Sequence, residues 1–263
     1  MKKLHDFLFA RGVPRMPTLV FAILATGTAA VTALANDTPE QDRWISLFNG
    51  EDLDGWRVSE AAAQSWSVVD GFIDCDPRTT VSGERNIWTE ESFGDFILYV
   101  EWRFTDTPTV ETRPMIGPDG RNVLDEDGEV MTETFPNADS GIYLRGMPKA
   151  QVNIWNWPIG SGEVWGYRTD GSMSAEVRAG VTPRVRADKE PGEWNRYVIT
   201  MIGDRLSVLL NGQVVLNHAL LPGVEEEGPI GLQYHGGFNH ERGEYLPASS
   251  LVQFRNMFVK PLD

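Results

Sequence analysis

The sequence predicts an all-β protein, a sandwich or jelly roll, and three observations carry that prediction. Short runs of alternating apolar and polar residues recur along the chain, tight-turn dipeptides separate them, and helical periodicity is weak throughout. Many short strands joined by hairpins pack as two sheets or a rolled one. The candidate strands are Ile45–Phe48, Trp66–Val69, Phe72–Asp74, Asn86–Trp88, Ile97–Thr105, Gly141–Arg145, Gln151–Trp155, Asn195–Ile202, Arg205–Leu210, Gln213–Asn217, Ile230–His235 and Val252–Lys260. Asp70-Gly71, Gly203-Asp204 and Asn211-Gly212 fall between adjacent runs, and Asn and Gly tolerate the positive φ of two-residue hairpins. Only Ser59–Ser65 reads as a turn of helix.

The first 35 residues read as a secretory signal. Lys2, Lys3, Arg11 and Arg15 supply positive charge, an apolar run covers Leu19 to Leu24, and small residues lead to Ala33-Leu34-Ala35. Thr26, Gly27 and Thr28 interrupt the apolar stretch, which falls short of the roughly 20 residues a spanning helix needs. The expectation is therefore an exported protein, periplasmic or secreted, without a transmembrane anchor after cleavage. Residues 36–43 make a short linker, and 44–263 make one sandwich domain. The net charge of −15 argues against nucleic acid as a partner, because no basic patch compensates for it. Cys75 is the only cysteine, so an intrachain disulfide is excluded and the core alone must hold the fold.

Between Asp106 and Asp139 the pattern breaks into a segment rich in Pro, Gly, Asp and Glu, with turn pairs at Asp119-Gly120 and Asp127-Gly128. It reads as a long inserted loop bearing a hairpin, and loops of this length are often lids or binding loops. Asp125-Glu126-Asp127-Gly128-Glu129 matches part of a calcium loop but lacks the third alternating acid and the distal Glu, which favours a solvated turn. His235, His240, Glu241 and Glu244 lie close in sequence and could ligate a divalent metal, although their spacing is no recognised ligand motif.

Period-two alternation assigns polar residues to faces. Leu98, Val100, Trp102 and Phe104 share one face of their strand, leaving Tyr99, Glu101 and Arg103 on the other. By the same rule Tyr143 and Arg145 lie opposite Ile142 and Leu144. Gln151, Asn153 and Trp155 lie opposite Val152 and Ile154, and Gln233 and His235 lie opposite Ile230, Leu232 and Tyr234. If these four strands share a sheet, one face gathers all ten outward residues. Aromatic rings that cover the apolar faces of pyranoses, with amides, carboxylates and guanidinium groups for their hydroxyls, suit a carbohydrate.

The residues also carry a family resemblance. The runs FNGEDLDGW at 48–56, WSVVDG at 66–71, FILYVEWR at 96–103, DSGIYLR at 139–145, GEWN at 192–195, LNG at 210–212, GPIGLQYHG at 228–236 and FRN at 254–256 together resemble the 3-keto-disaccharide hydrolase family. The resemblance covers nearly all of residues 44–262. It implies a concanavalin A-like jelly-roll β-sandwich with activity as a 3-keto-glucoside lyase or hydratase, giving net hydrolysis. The chain departs from the family pattern in carrying Asp139 where Asn is usual, and in a longer acidic insert.

A ketone at C3 of a glycoside acidifies the C2 proton. A base removes it, the aglycone leaves from C1, and water then adds at C1, which requires a base, a stabiliser of the enolate oxygen and an acid. The expected catalytic set is Glu101, His235 and Arg145. Tyr99, Arg103, Tyr143, Gln151, Asn153, Trp155, Glu163 and Gln233 are expected to bind substrate, with Arg103 a second candidate stabiliser and Glu163 a second candidate acid. No cofactor is expected, and a divalent metal stays open. The Glu-x-Asp-x-x-Glu motif of glucanases with this fold is absent from the sequence, which argues against ordinary double displacement. Two alternatives remain: a noncatalytic carbohydrate-binding module, and a calcium-stabilised structural or adhesive sandwich.

Overall fold

A computed structural model describes residues 44–262; the expected signal segment 1–35, the expected linker 36–43 and Asp263 lie outside the described residues. In chain order the strands are β1 Ile45–Ser46, β2 Trp56–Arg57, β3 Trp66–Val69, β4 Phe72–Cys75, β5 Ile87–Phe93, β6 Asp95–Phe104, β7 Thr109–Pro114, β8 Thr132–Asn137 and β9 Asp139–Leu144. There follow β10 Met147–Trp155, β11 Asn195–Ile202, β12 Arg205–Leu210, β13 Gln213–Leu220, β14 Gly228–Leu232, β15 Phe238–Asn239, β16 Glu244–Tyr245 and β17 Val252–Leu262. Two short helices, α1 Trp165–Arg168 and α2 Ala175–Gly180, interrupt the β pattern. Among the described residues no helix is long and apolar enough to cross a membrane.

Eight strands form one antiparallel sheet in the order β13-β12-β11-β6-β17-β4-β3, with β1 also paired to β17. Five form a second, in the order β10-β9-β14-β5-β2. The sheets pack face to face as the all-β sandwich that the alternation predicts. Phe93 of the smaller sheet meets Phe96 of the larger with ring centroids 6.4 Å apart, and the Tyr197 hydroxyl donates across the core to the Asn153 carbonyl at 2.7 Å. Strand β6 shows why the pattern works: Phe96, Leu98, Val100, Trp102 and Phe104 all point into the core, each contributing about 1.5–3 kcal/mol by leaving water. The hairpins at Asp70-Gly71 and Asn211-Gly212 have both residues at positive φ, the geometry that matches strand twist.

One expectation fails here. β6 lies between β11 and β17 in the eight-stranded sheet, whereas β9, β10 and β14 belong to the five-stranded one. Alternation reveals which side of a strand is apolar; it says nothing about which sheet the strand joins. The outward residues of β6 therefore face solvent on the opposite side of the molecule from those of β9 and β10.

The insert is built as expected of a hairpin. β7 and β8 pair from Thr109 with Asn137 to Pro114 with Thr132, and turns at 117–121 and 125–129 fold its tip back on itself. Asp125 spends its carboxylate on the Asp127 and Glu129 amides at 3.0 and 2.9 Å, as a turn residue does. The α-helices escaped the sequence reading because they are four and six residues long, although Ser174 caps α2 by accepting from the Val177 amide at 3.2 Å.

Arg145 belongs to the fold. It follows β9 at φ 50° and is 3 % exposed, and its guanidinium donates to the carbonyls of Gly94, Gly203 and Glu225 and to the Asp95 carboxylate at 2.7–2.8 Å. It clamps the loops at one end of the sandwich and is fully engaged, so it corrects the expectation of an enolate stabiliser. Arg145→Met strands three carbonyls and a carboxylate, and is expected to cost about 3 kcal/mol or more in urea unfolding. A loss below about 1 kcal/mol would show that the clamp is dispensable.

Candidate active site

The outer face of the five-stranded sheet carries a pocket of about 750 Å³, with a floor from β9, β10 and the residues following β14. Val152 and Ile154 anchor β10 in the core, which turns Gln151, Asn153 and Trp155 outward, and Gln233 and His235 join them from the end of β14. Six of the predicted face residues thus meet on one sheet: Tyr143, Gln151, Asn153, Trp155, Gln233 and His235. Two glycines make the floor possible. At Gly141 a Cβ would collide with the Gln151 side chain, so the bare backbone lets the Gln151 amide cross β9 and donate to Gln233. At Gly231 a Cβ would lie 2.6 Å from Trp88, so the indole reaches across β14 to stack on Tyr143 at 5.2 Å and 15°. Burial pushes the Tyr143 hydroxyl up to about 12, which keeps it a neutral donor.

Asp139 opens β9 on the pocket wall, and its carboxyl receives no hydrogen bond from the described residues. Burial raises it to about 7, with His235 and Arg113 opposing and Glu111 adding to the shift. His235 stands beside it. Its Nδ1 lies 2.8 Å from the Ala248 carbonyl, which can only accept, so Nδ1 carries a proton and Nε2 is left for the pocket. Its backbone is pinned by Ser250, whose hydroxyl accepts from the His235 amide at 2.7 Å and donates to the Asp139 carbonyl at 2.6 Å. One serine therefore fixes the spacing of the two titratable groups.

The remaining walls come from the insert and from α1. The insert contributes Arg113, Pro114, Ile116 and Asn122, and its tip at Gly120 lies against the Arg178 carbonyl of α2. Arg113 pairs with Glu111, and its guanidinium lies 4.6 Å over Trp157, whose far partner is Trp155, stacked at 4.2 Å and 5°. Trp157 thus has both a cation and a second indole against its ring, while Trp165 of α1 stays 48 % exposed at the pocket. Arg168 of α1 and Lys149 of β10 complete three cations, paired with Glu163 and Asp170 respectively. Burial and the neighbouring Arg178 bring Arg168 down to about 10, still charged at neutral pH.

The other expected residues lie elsewhere. Glu101 sits on the outer face of the eight-stranded sheet and accepts from Tyr99 and Arg255 at 2.8 Å and from Asn256 at 3.0 Å. Its burial would raise its pKa, but those three donors outweigh it and hold the carboxyl below the usual range. Arg103, on the same face, donates to Gln253 at 2.8 and 3.0 Å and lies 4.6 Å over Trp194. Tyr99, Glu101 and Arg103 therefore each have partners on that face, away from the pocket. Glu163 is 0 % exposed and lies behind Arg168, holding it, so it does not rim the pocket. His240 turns to the Arg78 carbonyl at 3.1 Å and Glu244 pairs with Arg242 at 3.5 Å; among the described residues no three His, Cys, Asp or Glu side chains gather to hold a metal.

A sequence profile of the 3-keto-alpha-glucoside-1,2-lyase-like domain matches residues 43–260. The chain belongs to this family. Membership relates the lyase-like domain to carbohydrate chemistry and accounts for the resemblance carried by its motifs. No curated protein is significantly similar to it. Among solved structures, a candidate glycosyl hydrolase from Parabacteroides distasonis ATCC 8503 is 23% identical, with 84% of each chain covered and a TM-score of 0.51, which shows a shared fold. A second from that organism is 17% identical over 84% of this chain and 94% of its own, with a TM-score of 0.49. The carbohydrate-binding module CBM66 from Bacillus subtilis is 13% identical over 78% of this chain and 95% of its own, with a TM-score of 0.41.

Asp139 makes the stability of the lyase-like domain pH-dependent. Its carboxyl titrates near 7 when folded and near 3.8 unperturbed, so between those values the folded chain holds a proton that the unfolded chain has lost. Stability contributed by the neutral form is complete below about pH 4 and is lost as pH rises through about 7. Asp139→Asn removes that loss: in urea unfolding its stability relative to the parent should climb from pH 4 to 7 and then level off. Parallel curves for the two proteins would place the carboxyl in an ordinary, solvated setting.

Proposed function

We propose that this chain is an exported carbohydrate-active enzyme that cleaves 3-keto-glucosides by proton abstraction at C2, elimination of the aglycone from C1 and addition of water. The observation that carries the reading is the pair of Asp139, with its carboxyl near 7, and His235, with Nε2 free, over a floor of amides ringed by cations. An acid and a base whose surroundings separate their roles are what an elimination needs.

His235 Nε2 removes the C2 proton, with Nδ1–H held on Ala248 so that the ring keeps its orientation. The electron pair moves onto the ketone oxygen, where the cations Arg113, Lys149 and Arg168 stabilise the enolate at no cost of reorganisation. As the pair returns, C1=C2 forms and the C1–O bond breaks, and protonated Asp139 delivers its proton to the departing oxygen. Water then adds at C1 and a proton returns to C2. The sequence is redox-neutral, so its electron balance calls for no cofactor. Gln151, Asn153 and Gln233 meet the sugar hydroxyls from the floor.

The test is to incubate the purified chain with 3-keto-glucosides and their unoxidised parents, following loss of keto sugar and release of aglycone, with and without EDTA. The keto sugars alone should be cleaved. His235→Ala should lower kcat/KM by about 10²–10⁴-fold, while Glu101→Gln should leave it within about twofold; Asp139→Asn, which installs the residue usual in the family, tests the acid role separately, and undiminished turnover would assign protonation of the leaving oxygen to water or another donor. Binding without turnover would make the chain a carbohydrate-binding module, and loss of turnover in EDTA would bring a divalent ion into the reaction.

A further inference from the structure

Beyond the main pocket, a second cavity of about 330 Å³ opens at the end of the sandwich where the two sheets meet. Its walls are Trp102 and Phe104 from the inner face of β6, Trp155 and Asn156 at the end of β10, Pro136 of the insert, and the segment 186–191. Trp155 lines both cavities, which therefore adjoin at this residue.

Two residues that line this cavity each carry a buried polar atom without a partner. The Trp102 indole Nε1, on a residue only 1 % exposed, donates to nothing, and the Asn156 Oδ1 accepts from nothing. Buried polar groups are almost always paired, and each orphan costs about 1–3 kcal/mol if nothing fills it. The Asp188 carboxylate also faces the cavity, held from one side by the Ser161 amide at 3.1 and 3.3 Å.

We propose that this cavity is a second saccharide-binding site, taking one neutral pyranose-sized ring. An occupant must accept from Trp102, donate to Asn156 and Asp188, and present apolar surface to Phe104 and Trp155; hydroxyl groups on a ring do all three. An anion is disfavoured because the cations are engaged: Arg186 with Glu133 and the Asn156 carbonyl at 3.4 Å, and Lys189 with the Trp194 carbonyl at 2.9 Å. A purely apolar guest would leave both orphans unpaired. The volume falls at the lower end of the roughly 300–1,000 Å³ typical of small-molecule sites. The site does not depend on the reaction proposed for the main pocket, since it needs no ketone.

The experiment follows the indole Nε1–H signals of ¹⁵N-labelled protein during titration with D-glucose and with methyl β-D-glucopyranoside, Trp102 being assigned through Trp102→Phe. The Trp102 signal should move saturably, with a dissociation constant on the order of 1 mM. Asn156→Ala, at a half-buried position outside the main core, should weaken this response about fivefold to tenfold. Gln151→Ala in the main pocket should leave it unchanged. A Trp102 signal indifferent to both sugars, or one that responds to Gln151→Ala and not to Asn156→Ala, would overturn the proposal and leave the cavity to ordered water.

Discussion

The two-sidedness of β10 is the constraint on which the site rests. Val152 and Ile154 lie at 0 % exposure in the core, and because side chains alternate, their burial obliges Gln151, Asn153 and Trp155 to face the pocket. A slip of one residue would exchange the two sets entirely, so the hydrophobic energy that seats the strand also fixes the register of the binding groups. The Tyr197 hydroxyl, reaching from the opposite sheet to the Asn153 carbonyl, pins that register from within the core. Precision in the pocket is therefore inherited from packing; the pocket-facing side chains do not supply it.

That rigidity lets the site hold a carboxyl away from its ordinary acidity. Asp139 and His235 come from segments distant in sequence, yet Ser250 bonds to the backbones of both, so neither can relax away from the other. With no donor on its oxygens, Asp139 meets desolvation without relief, and the nearby Glu111 of the insert adds repulsion. Glu101 is the contrast: also partly buried, it is surrounded by donors and falls below the usual range. Two carboxyls on opposite faces of one sandwich thus shift in opposite directions, one with donors on its oxygens and one without donors among the described residues.

The same comparison shows what was legible in the sequence. Core faces were legible, because alternation is local: Leu98, Val100, Ile142, Val152 and Ile230 all lie where the pattern placed them. Sheet membership was not, since β6 pairs with β11 and β17 through contacts about 100 to 160 residues away in the chain, and the period of a strand carries no trace of them. Tyr99, Glu101 and Arg103 were assigned to the right side of the right strand and to the wrong sheet. Arg145 failed differently: alternation ends with the strand, and a residue at φ 50° no longer obeys it. Arg113, Trp157, Trp165 and Arg168 stood in stretches without periodicity, where only three-dimensional closure brings them to the pocket. For Asp139 a signal existed, in the departure from the family's Asn, but its meaning depended on the burial that the fold creates.

Ion pairing explains how an acidic chain can maintain a pocket edged with cations. Arg113, Lys149 and Arg168 each have a carboxylate partner placed behind or beside them, in Glu111, Asp170 and Glu163. Pairing removes the cost of crowding three positive groups together, and it leaves guanidinium and ammonium donors oriented at the opening. A neutral sugar then meets no strong net field on entry, whereas negative charge developing on the ketone oxygen of the proposed substrate meets donors already in place. The arrangement favours charge that appears within the pocket over charge carried in by a ligand, which is the discrimination that the proposed enolate calls for.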